Sequence, residues 1–147
     1  MPFRIRERRT RVIPKEESMP TIFTKIIAGE IPAHKILEDE RYLAFLDLRP
    51  VNPGHTLVIP KQEIDYIFDI DDELLRGLMT FSKKVARAIG KAFPCKKVGI
   101  MVAGIEVPHA HVHLIPINSV GDLNFARAKA STPEELAAAA QRIRANL

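Results

Sequence analysis

Histidines and apolar residues alternate along one stretch of the chain, which reads His-Ala-His-Val-His-Leu-Ile-Pro over residues 109–116. Successive side chains of a β-strand point to opposite faces. The alternation therefore predicts a strand with three imidazoles on one face and apolar side chains on the other. A helix would spread positions two apart around its circumference, so the pattern favours a strand. Pro116 fits such a strand only near its end or on a sheet edge.

The same patterning predicts four more strands and three helices. Runs rich in β-branched and aromatic residues, bounded by turn residues, predict strands over 34–38, 42–46, 55–59 and 97–102. Helical spacing and capping signals predict a short helix over 22–28, a long amphipathic helix between Asp71 and Pro94, and a last helix that starts at Thr132-Pro133. The order α-β-β-β-α-β-β-α indicates an α+β fold, a mainly antiparallel five-stranded sheet with helices on one face and the long helix covering it.

Length and charge suggest one domain with a basic extension. At 147 residues the chain can bury a core of its own. Residues 1–18 carry a net charge of +3, whereas the rest carries only +1. A nearly neutral body lacks the basic surface that duplex nucleic acid requires, so we expect no nucleic-acid partner. We divide the chain into a basic, flexible extension over 1–18 and a domain over 19–147 that includes the last helix.

Cysteine content and hydropathy bear on where the protein acts. Cys95 is the single cysteine, which excludes an intramolecular disulfide and a multi-cysteine zinc site. No apolar run reaches membrane-spanning length, and the N-terminus lacks the apolar core of a secretory signal. We expect a cytoplasmic protein without a membrane partner.

Three histidines at a spacing of two favour a catalytic or metal-binding role over three unrelated surface or core residues. A metal site is the main competitor to catalysis, because strands present His-x-His pairs to zinc. On a regular strand, however, His109 and His113 start roughly 13 Å apart. Nitrogen ligands of one zinc lie within roughly 4 Å of each other. A metal site would therefore need two of the three together with His55.

The stretch matches the motif H-φ-H-φ-H-φ-φ, with φ apolar, of the histidine triad superfamily. Further blocks, in chain order, resemble the Hint branch of that superfamily. They are Thr21-Ile22-Phe23, Lys25-Ile26-Ile27, Gly29-Glu30-Ile31-Pro32, Ala44-Phe45-Leu46-Asp47 and Pro53-Gly54-His55-Thr56-Leu57-Val58-Ile59-Pro60-Lys61. The resemblance covers about residues 20–118, and the ordered blocks make it more specific than the triad alone.

The resemblance implies a role for each histidine. His111 would be the nucleophile, which attacks phosphorus and holds the nucleotidyl group as a phosphoramidate. Its other ring nitrogen would keep a proton directed at a main-chain carbonyl of the triad strand. His113 would contact the phosphate and assist the leaving group, and His109 and His55 would support the catalytic ring from behind. The family needs no metal or other cofactor for this chemistry.

The resemblance also implies a pocket for a purine nucleotide. Asp47 would accept hydrogen bonds from the ribose hydroxyls, because an ionised carboxylate acts only as an acceptor. The other residues at the family's nucleotide-binding positions are Ile22, Phe23, Ile26, Ile31, Leu48, Leu57, Gly104 and Glu106. The family forms two-fold homodimers, and we expect a homodimer here.

Three positions depart from the Hint pattern. Val98 stands eleven residues before the first triad histidine, where the family usually has Asn, and Ile105 and Glu106 replace Gln and Ser. We expect the Glu106 carboxylate to turn toward solvent, while backbone N–H groups near Gly104 contact phosphate. The alternative is that Glu106 faces the leaving group and favours one that carries an amine or ammonium.

The sequence thus predicts a nucleotidyl hydrolase that acts on nucleoside phosphoramidates or related nucleoside phosphate conjugates. The alternatives are a dinucleoside polyphosphate hydrolase, a nucleotide-binding regulatory module with little turnover, and a zinc protein. The last helix has no counterpart in many Hint-branch chains, and the sequence does not indicate its role.

Overall fold

The structure, a computed structural model, describes residues 19–147, so the predicted extension over 1–18 lies outside the described residues. The predicted strands are present, with ends that differ from prediction by at most three residues. They are β1 Lys35–Glu38, β2 Tyr42–Leu46, β3 Thr56–Pro60, β4 Lys97–Met101 and β5 Val112–Ile117. The predicted helices are present as α1 Ile22–Ile27, α2 Asp72–Ala92 and α3 Pro133–Arg144. Short 3₁₀ helices, which the sequence did not predict, lie at Ile67–Asp69, Val120–Asp122 and Phe125–Arg127.

The strands form one five-stranded antiparallel sheet in the order β1-β2-β3-β5-β4. His113 of β5 lies between its two cross-strand neighbours, Leu57 of β3 and Met101 of β4. Pro116 lies in β5 beyond the residues that pair with β3. Its missing N–H therefore costs no hydrogen bond between these two strands. The α+β prediction is confirmed.

Two apolar clusters lie on opposite faces of the sheet. The larger one combines sheet residues such as Val112 and Leu114 with the apolar sides of α2 and α3. The smaller one combines Phe23 and Ile26 of α1 with four residues of β2 and β3. The expectation that all helices share one face is therefore wrong for α1. Ile22, one position before Phe23 on that helix, is turned outward and is 49% exposed.

The long helix α2 packs on the sheet through a close approach to β2. Asp71 caps it by accepting the Leu74 N–H at 2.9 Å. The hydroxyl of Tyr42 donates to the carbonyl of Leu74 at 2.9 Å and occupies the space beside Gly77 where a side chain would otherwise stand. Within residues 19–147, no helix combines the length and apolar character needed to cross a membrane.

The last helix, α3, completes the larger core. Leu136, Ala140 and Ile143 are buried in that cluster. The Arg144 guanidinium donates to the carbonyl of Lys35 in β1 at 2.6 Å, which ties the end of α3 to the sheet edge. The structure therefore gives α3 a role in stabilising the fold that the sequence did not indicate.

Candidate active site

The three triad histidines are buried, but only His113 lies in a regular strand. β5 begins at Val112, so the predicted strand over 109–116 starts too early. The reason is pairing: β3 pairs with β5 only from Val112 onward, and the N–H of Ala110 donates to a loop carbonyl after β3 instead. The alternation still holds across this break. Ala110 packs in the helix-side core, whereas His109 and His111 contact the Phe23 ring on the other face.

His111 has one nitrogen held by the backbone and one available for reaction. Its Nδ1–H donates to the carbonyl oxygen of His109 at 2.7 Å. A neutral imidazole carries one proton, so Nε2 of His111 presents a lone pair. The edge-to-face ring of Phe23, with centroids 5.0 Å apart, packs on the imidazole. The orientation of the lone pair is therefore set by both a hydrogen bond and packing.

His55 and His113 form a second, directional pair. Nδ1 of His55 accepts the Val51 N–H at 3.0 Å, so the proton of His55 is on Nε2. That Nε2–H donates to Nδ1 of His113 at 2.9 Å, which leaves His113 with its own proton on Nε2. The expectation for His55 needs a correction here. It supports His113 rather than His111, because β3 runs antiparallel to β5 and brings residue 55 beside the C-terminal part of the motif.

His109 is held from both sides by a network that reaches α1. Its Nε2–H donates to the carbonyl of Pro60 at 2.8 Å, so its Nδ1 accepts from the hydroxyl of Thr21 at 3.1 Å. The Glu63 carboxylate accepts from the backbone N–H of Thr21 at 2.9 Å and from the Thr24 hydroxyl at 2.8 Å. The carbonyl that orients His111 thus belongs to a residue whose ring is fixed by α1 and by β3.

Burial keeps three of these rings neutral. Burial lowers the pKa of His55 below its ordinary value, against the opposing charge of Asp47. It also lowers the pKa of His109, although the hydrogen bond to Pro60 acts in the other direction. Burial, with the neighbouring rings of His55 and His111, lowers the pKa of His113 to about 3. The neutral rings can act as the directed donors and acceptors described above.

Asp47 lies directly after β2, with Oδ2 3.6 Å from Nε2 of His55. Ligand atoms of Asp47, His55 and His113 lie within 4.8 Å of one another, so this trio has the donor types of a zinc site. This differs from the expected arrangement, since it contains only one triad histidine. Within this trio, Nε2 of His55 and Nδ1 of His113 are joined by a hydrogen bond.

The predicted nucleotide-binding residues fall into two groups. Phe23, Ile26 and Leu57 are buried together in the smaller cluster, and Ile31 packs against it. Phe23 brings this apolar surface against the rings of His109 and His111. The structure does not bury the other apolar positions, since Ile22 and Leu48 are 49% and 58% exposed.

The loop before the triad is open to solvent. Gly104 has φ +73°, a conformation that favours glycine, and Glu106 is exposed, as expected for a solvated carboxylate. Val98, which stands where the family usually has Asn, does not lie beside the histidines. Val98 pairs with Pro116 and packs against the helix-side core, whereas Met101 is the residue of β4 that stands beside His113.

Two residues near the histidines were missed by sequence reasoning. Glu63 contacts partners 42 and 39 positions earlier in the chain, so no local pattern marks it. Phe125 packs its ring on His113, with centroids 4.7 Å apart, twelve residues beyond that histidine. The sequence marks Phe125 only by its aromatic side chain.

Comparisons with known proteins identify the family and its relatives. The family model described as HIT domain matches residues 28–120. Protein hit of Bacillus subtilis is 44% identical over 108 residues, which cover 69% of this chain and 73% of that protein. Adenosine 5'-monophosphoramidase HNT1 of Saccharomyces cerevisiae is 41% identical over 96 residues, covering 65% and 61%. A crystal structure of a Hit-like protein involved in cell-cycle regulation from Bartonella henselae superposes with a TM-score of 0.77 at 36% identity, over 86% of this chain and 96% of that one.

Proposed function

Because the chain belongs to the HIT domain family, we propose that it is a nucleotidyl hydrolase that cleaves nucleoside phosphoramidates or related nucleoside phosphate conjugates and releases a nucleoside monophosphate. The observation that carries the proposal is the fixed Nε2 lone pair of His111, whose Nδ1–H is held by the His109 carbonyl. The yeast relative, an adenosine 5'-monophosphoramidase, supports this class of reaction.

In the first step, Nε2 of His111 attacks phosphorus, and the bond between phosphorus and the leaving nitrogen breaks. The new bond places positive charge on the His111 ring, which the hydrogen bond from Nδ1–H to the His109 carbonyl stabilises. Nε2–H of His113 donates a hydrogen bond to the phosphoryl group and the departing atom. The N–H of His55 faces Nδ1 of His113 and opposes a second proton there, so the departing amine takes its proton from solvent.

In the second step, water attacks the phosphorus of the nucleotidyl-histidine. The bond from phosphorus to Nε2 breaks, the water proton returns to solvent, and the nucleoside monophosphate leaves. His111 regains its starting tautomer, because the His109 carbonyl has held the Nδ1 proton throughout.

We assign the base to the apolar surface that Phe23 brings against His111, and the ribose to Asp47, which lies beside His55. The buried apolar surface of Phe23, Ile26 and Leu57 suits a flat purine base. The half-buried carboxylate of Asp47 suits the ribose hydroxyls. A substrate from the nucleotide pool fits a cytoplasmic location.

We extend the proposal to a two-fold homodimer formed at β4. This strand is one edge of the sheet. Large apolar side chains are exposed on this strand and directly after it, with Ile100 at 50% and Val102 at 38%. Exposed apolar edges favour pairing with another strand.

The proposal is tested with the full chain and an adenosine phosphoramidate that carries a fluorogenic amine, with and without a chelator. We expect release of AMP in both conditions. His111→Ala should slow turnover at least thousandfold, on the order of 4 kcal/mol of transition-state stabilisation, yet still bind AMP. His34→Ala is the matched control, because His34 is half-buried outside the histidine cluster and its loss should spare the rate.

Each other outcome supports a different class of protein. Wild-type rates in His111→Ala would contradict the mechanism. AMP binding without turnover by the natural chain would favour a regulatory module, and loss of turnover with the chelator would favour a zinc enzyme. Faster hydrolysis of a diadenosine polyphosphate would favour the polyphosphate hydrolase.

A further inference from the structure

Tyr66 and Phe68 form an exposed aromatic patch on the segment between β3 and α2. Their side chains are 57% and 76% exposed, and their rings pack edge to face with centroids 5.4 Å apart. Ile67 between them and Ile70 after them pack in the larger core, so the backbone beneath the two rings is held in place. Single exposed apolar residues are ordinary, whereas adjoining exposed aromatic rings are typical of a contact surface.

The aromatic patch lies in a strongly acidic stretch. Residues 63–73 contain six carboxylates and neither Lys nor Arg, and all six acidic residues are exposed. Arg41 pairs with Glu73 at 3.3 Å. Three other acidic residues of the stretch form no ion pair within the part of the chain that the structure describes: Asp65, Asp69 and Asp72. The patch therefore complements a ligand that carries both cationic and apolar side chains.

The first residues that the structure describes lie beside this patch. The backbone N–H of Thr21 donates to the Glu63 carboxylate at 2.9 Å. Tyr66 follows Glu63 by three residues, and consecutive Cα atoms are 3.8 Å apart, so their Cα atoms are at most about 11 Å apart. Even ten extended residues span roughly 33 Å. Residues 1–18, which are attached at this point, are therefore long enough to cover the patch.

Residues 1–18 also have the composition that the patch would bind. From Phe3 to Ile13 the chain carries five arginines and a single carboxylate, and apolar residues alternate with arginines in Phe3-Arg4-Ile5-Arg6. A guanidinium group pairs with carboxylates and stacks on aromatic faces. Charge and apolar character thus complement the patch at the place where these residues join the domain.

We propose that the aromatic patch and the carboxylates around it are the docking surface for residues 1–18 of the same chain. Composition alone predicts a flexible extension, whereas this surface favours a docked one. The carbonyl of Ile64 in the same stretch accepts the Ala110 N–H at 2.7 Å. The docked extension therefore contacts the segment that holds the backbone between His109 and His111.

The first test uses the full chain labelled with fluorotyrosine, because its two tyrosines are the buried Tyr42 and the exposed Tyr66. The fluorine NMR signal that Tyr66→Phe removes should shift when Arg4→Gln, Arg6→Gln and Arg8→Gln are combined. High salt should shift it in the same direction, because salt screens the ion pairs. The Tyr42 signal should not move. The matched control removes the same charge from three exposed positions of α2, as Lys83→Gln, Lys84→Gln and Arg87→Gln.

Trypsin cleavage of the full chain measures the same contact without a label. Cleavage after the arginines of residues 1–18 should be about threefold to tenfold faster in Phe68→Ala than in wild type. Asp65→Asn combined with Asp69→Asn should have the same effect. Glu134→Gln is the control, because it removes an exposed carboxylate outside the patch. Unchanged cleavage within residues 19–147 shows that each variant remains folded.

A Tyr66 signal that ignores the loss of the three arginines would overturn the proposal, and so would equal trypsin rates in wild type and the patch variants. A Tyr66 signal that shifts with protein concentration would assign the patch to a second copy and contradict docking within one chain. None of these measurements involves nucleotide hydrolysis, so their outcome is independent of the function proposed above.

Discussion

Glu63 shows how one exposed side chain can order a buried site. Its carboxylate accepts from the backbone N–H of Thr21 and from the Thr24 hydroxyl, and Thr21 in turn donates to His109. His109 supplies the carbonyl that orients His111. A group on the surface therefore helps to define the direction of the His111 lone pair, the proposed nucleophile, through two intervening residues.

We expect Glu63→Ala to lower the free energy of unfolding by about 1 kcal/mol, since Thr21 N–H and the Thr24 hydroxyl lose their common acceptor. Glu63→Gln should recover most of this loss, because its amide oxygen can accept both bonds. Urea unfolding of both variants measures the difference, with Gln62→Ala as the neighbouring exposed control. An equal loss in the Gln and Ala variants would show that charge, and not the acceptor geometry, matters at this position.

At the residue scale, the sequence predicted the shared face of the triad histidines but not their partners. The alternation of Ala110 and Val112 with the histidines marks that face from local spacing alone. The tautomer of His113 depends on His55, whose own proton is placed by the N–H of Val51. Such contacts arise from the path of a loop, which residue spacing does not encode.

Among the helices, α2 contains two glycines whose replacement by alanine should change stability in opposite directions. Replacing a helix-interior glycine with alanine ordinarily stabilises by about 1 kcal/mol. At Gly90 a new Cβ would meet Val98 at an ordinary 3.8 Å, so Gly90→Ala should raise the unfolding free energy by about that amount. At Gly77 the new Cβ would collide with the hydroxyl end of Tyr42, so Gly77→Ala should destabilise by about 1–3 kcal/mol.

Thermal and urea unfolding of the two alanine variants measures this contrast within one helix. Tyr42→Phe combined with Gly77→Ala should recover part of the loss, because the phenol oxygen is the nearest clashing atom. Stabilisation by Gly77→Ala alone would show that α2 shifts away from β2 without cost.

The element boundaries were predicted where local signals are strong. Thr132-Pro133 and Asp71 mark helix starts by capping chemistry, and both are N-terminal boundaries in the structure. The start of β5 was predicted three residues too early. The strand begins at Val112, where pairing with β3 begins, and the residue pattern alone does not show where pairing starts. The face occupied by α1 was also mistaken, since the burial of Phe23 depends on the sheet beneath it.

For the whole molecule, buried neutral histidines imply a defined response to acid. The folded pKa of His113 is lowered to about 3, and the pKa values of His55 and His109 are lowered as well. An unfolded histidine titrates near 6.5. Between these values the unfolded chain binds more protons, so stability is fully present above about pH 6.5 and is lost as the pH falls toward 3.

We expect the free energy of unfolding to be about 2 kcal/mol lower at pH 5 than at pH 7 from His113 alone. Urea unfolding across this range measures it, and His113→Asn should flatten the dependence while its side-chain oxygen still accepts from His55. Carboxylates with lowered pKa values, such as Glu38 and Asp122, act at lower pH. A wild-type curve that is flat from pH 5 to 7 would contradict the burial of neutral rings.

The two faces of the sheet are covered very unequally, with α2 and α3 on one side and the six-residue α1 on the other. Local opening requires least free energy where the fewest apolar contacts are broken. Amide hydrogens of α1 should therefore exchange with deuterium well before those of α2. Heating should abolish the proposed hydrolysis while the sheet and its large core remain folded. For the nucleoside substrate proposed above, opening of this weakly held helix would give a flat base a route into the site without unfolding of the rest of the molecule.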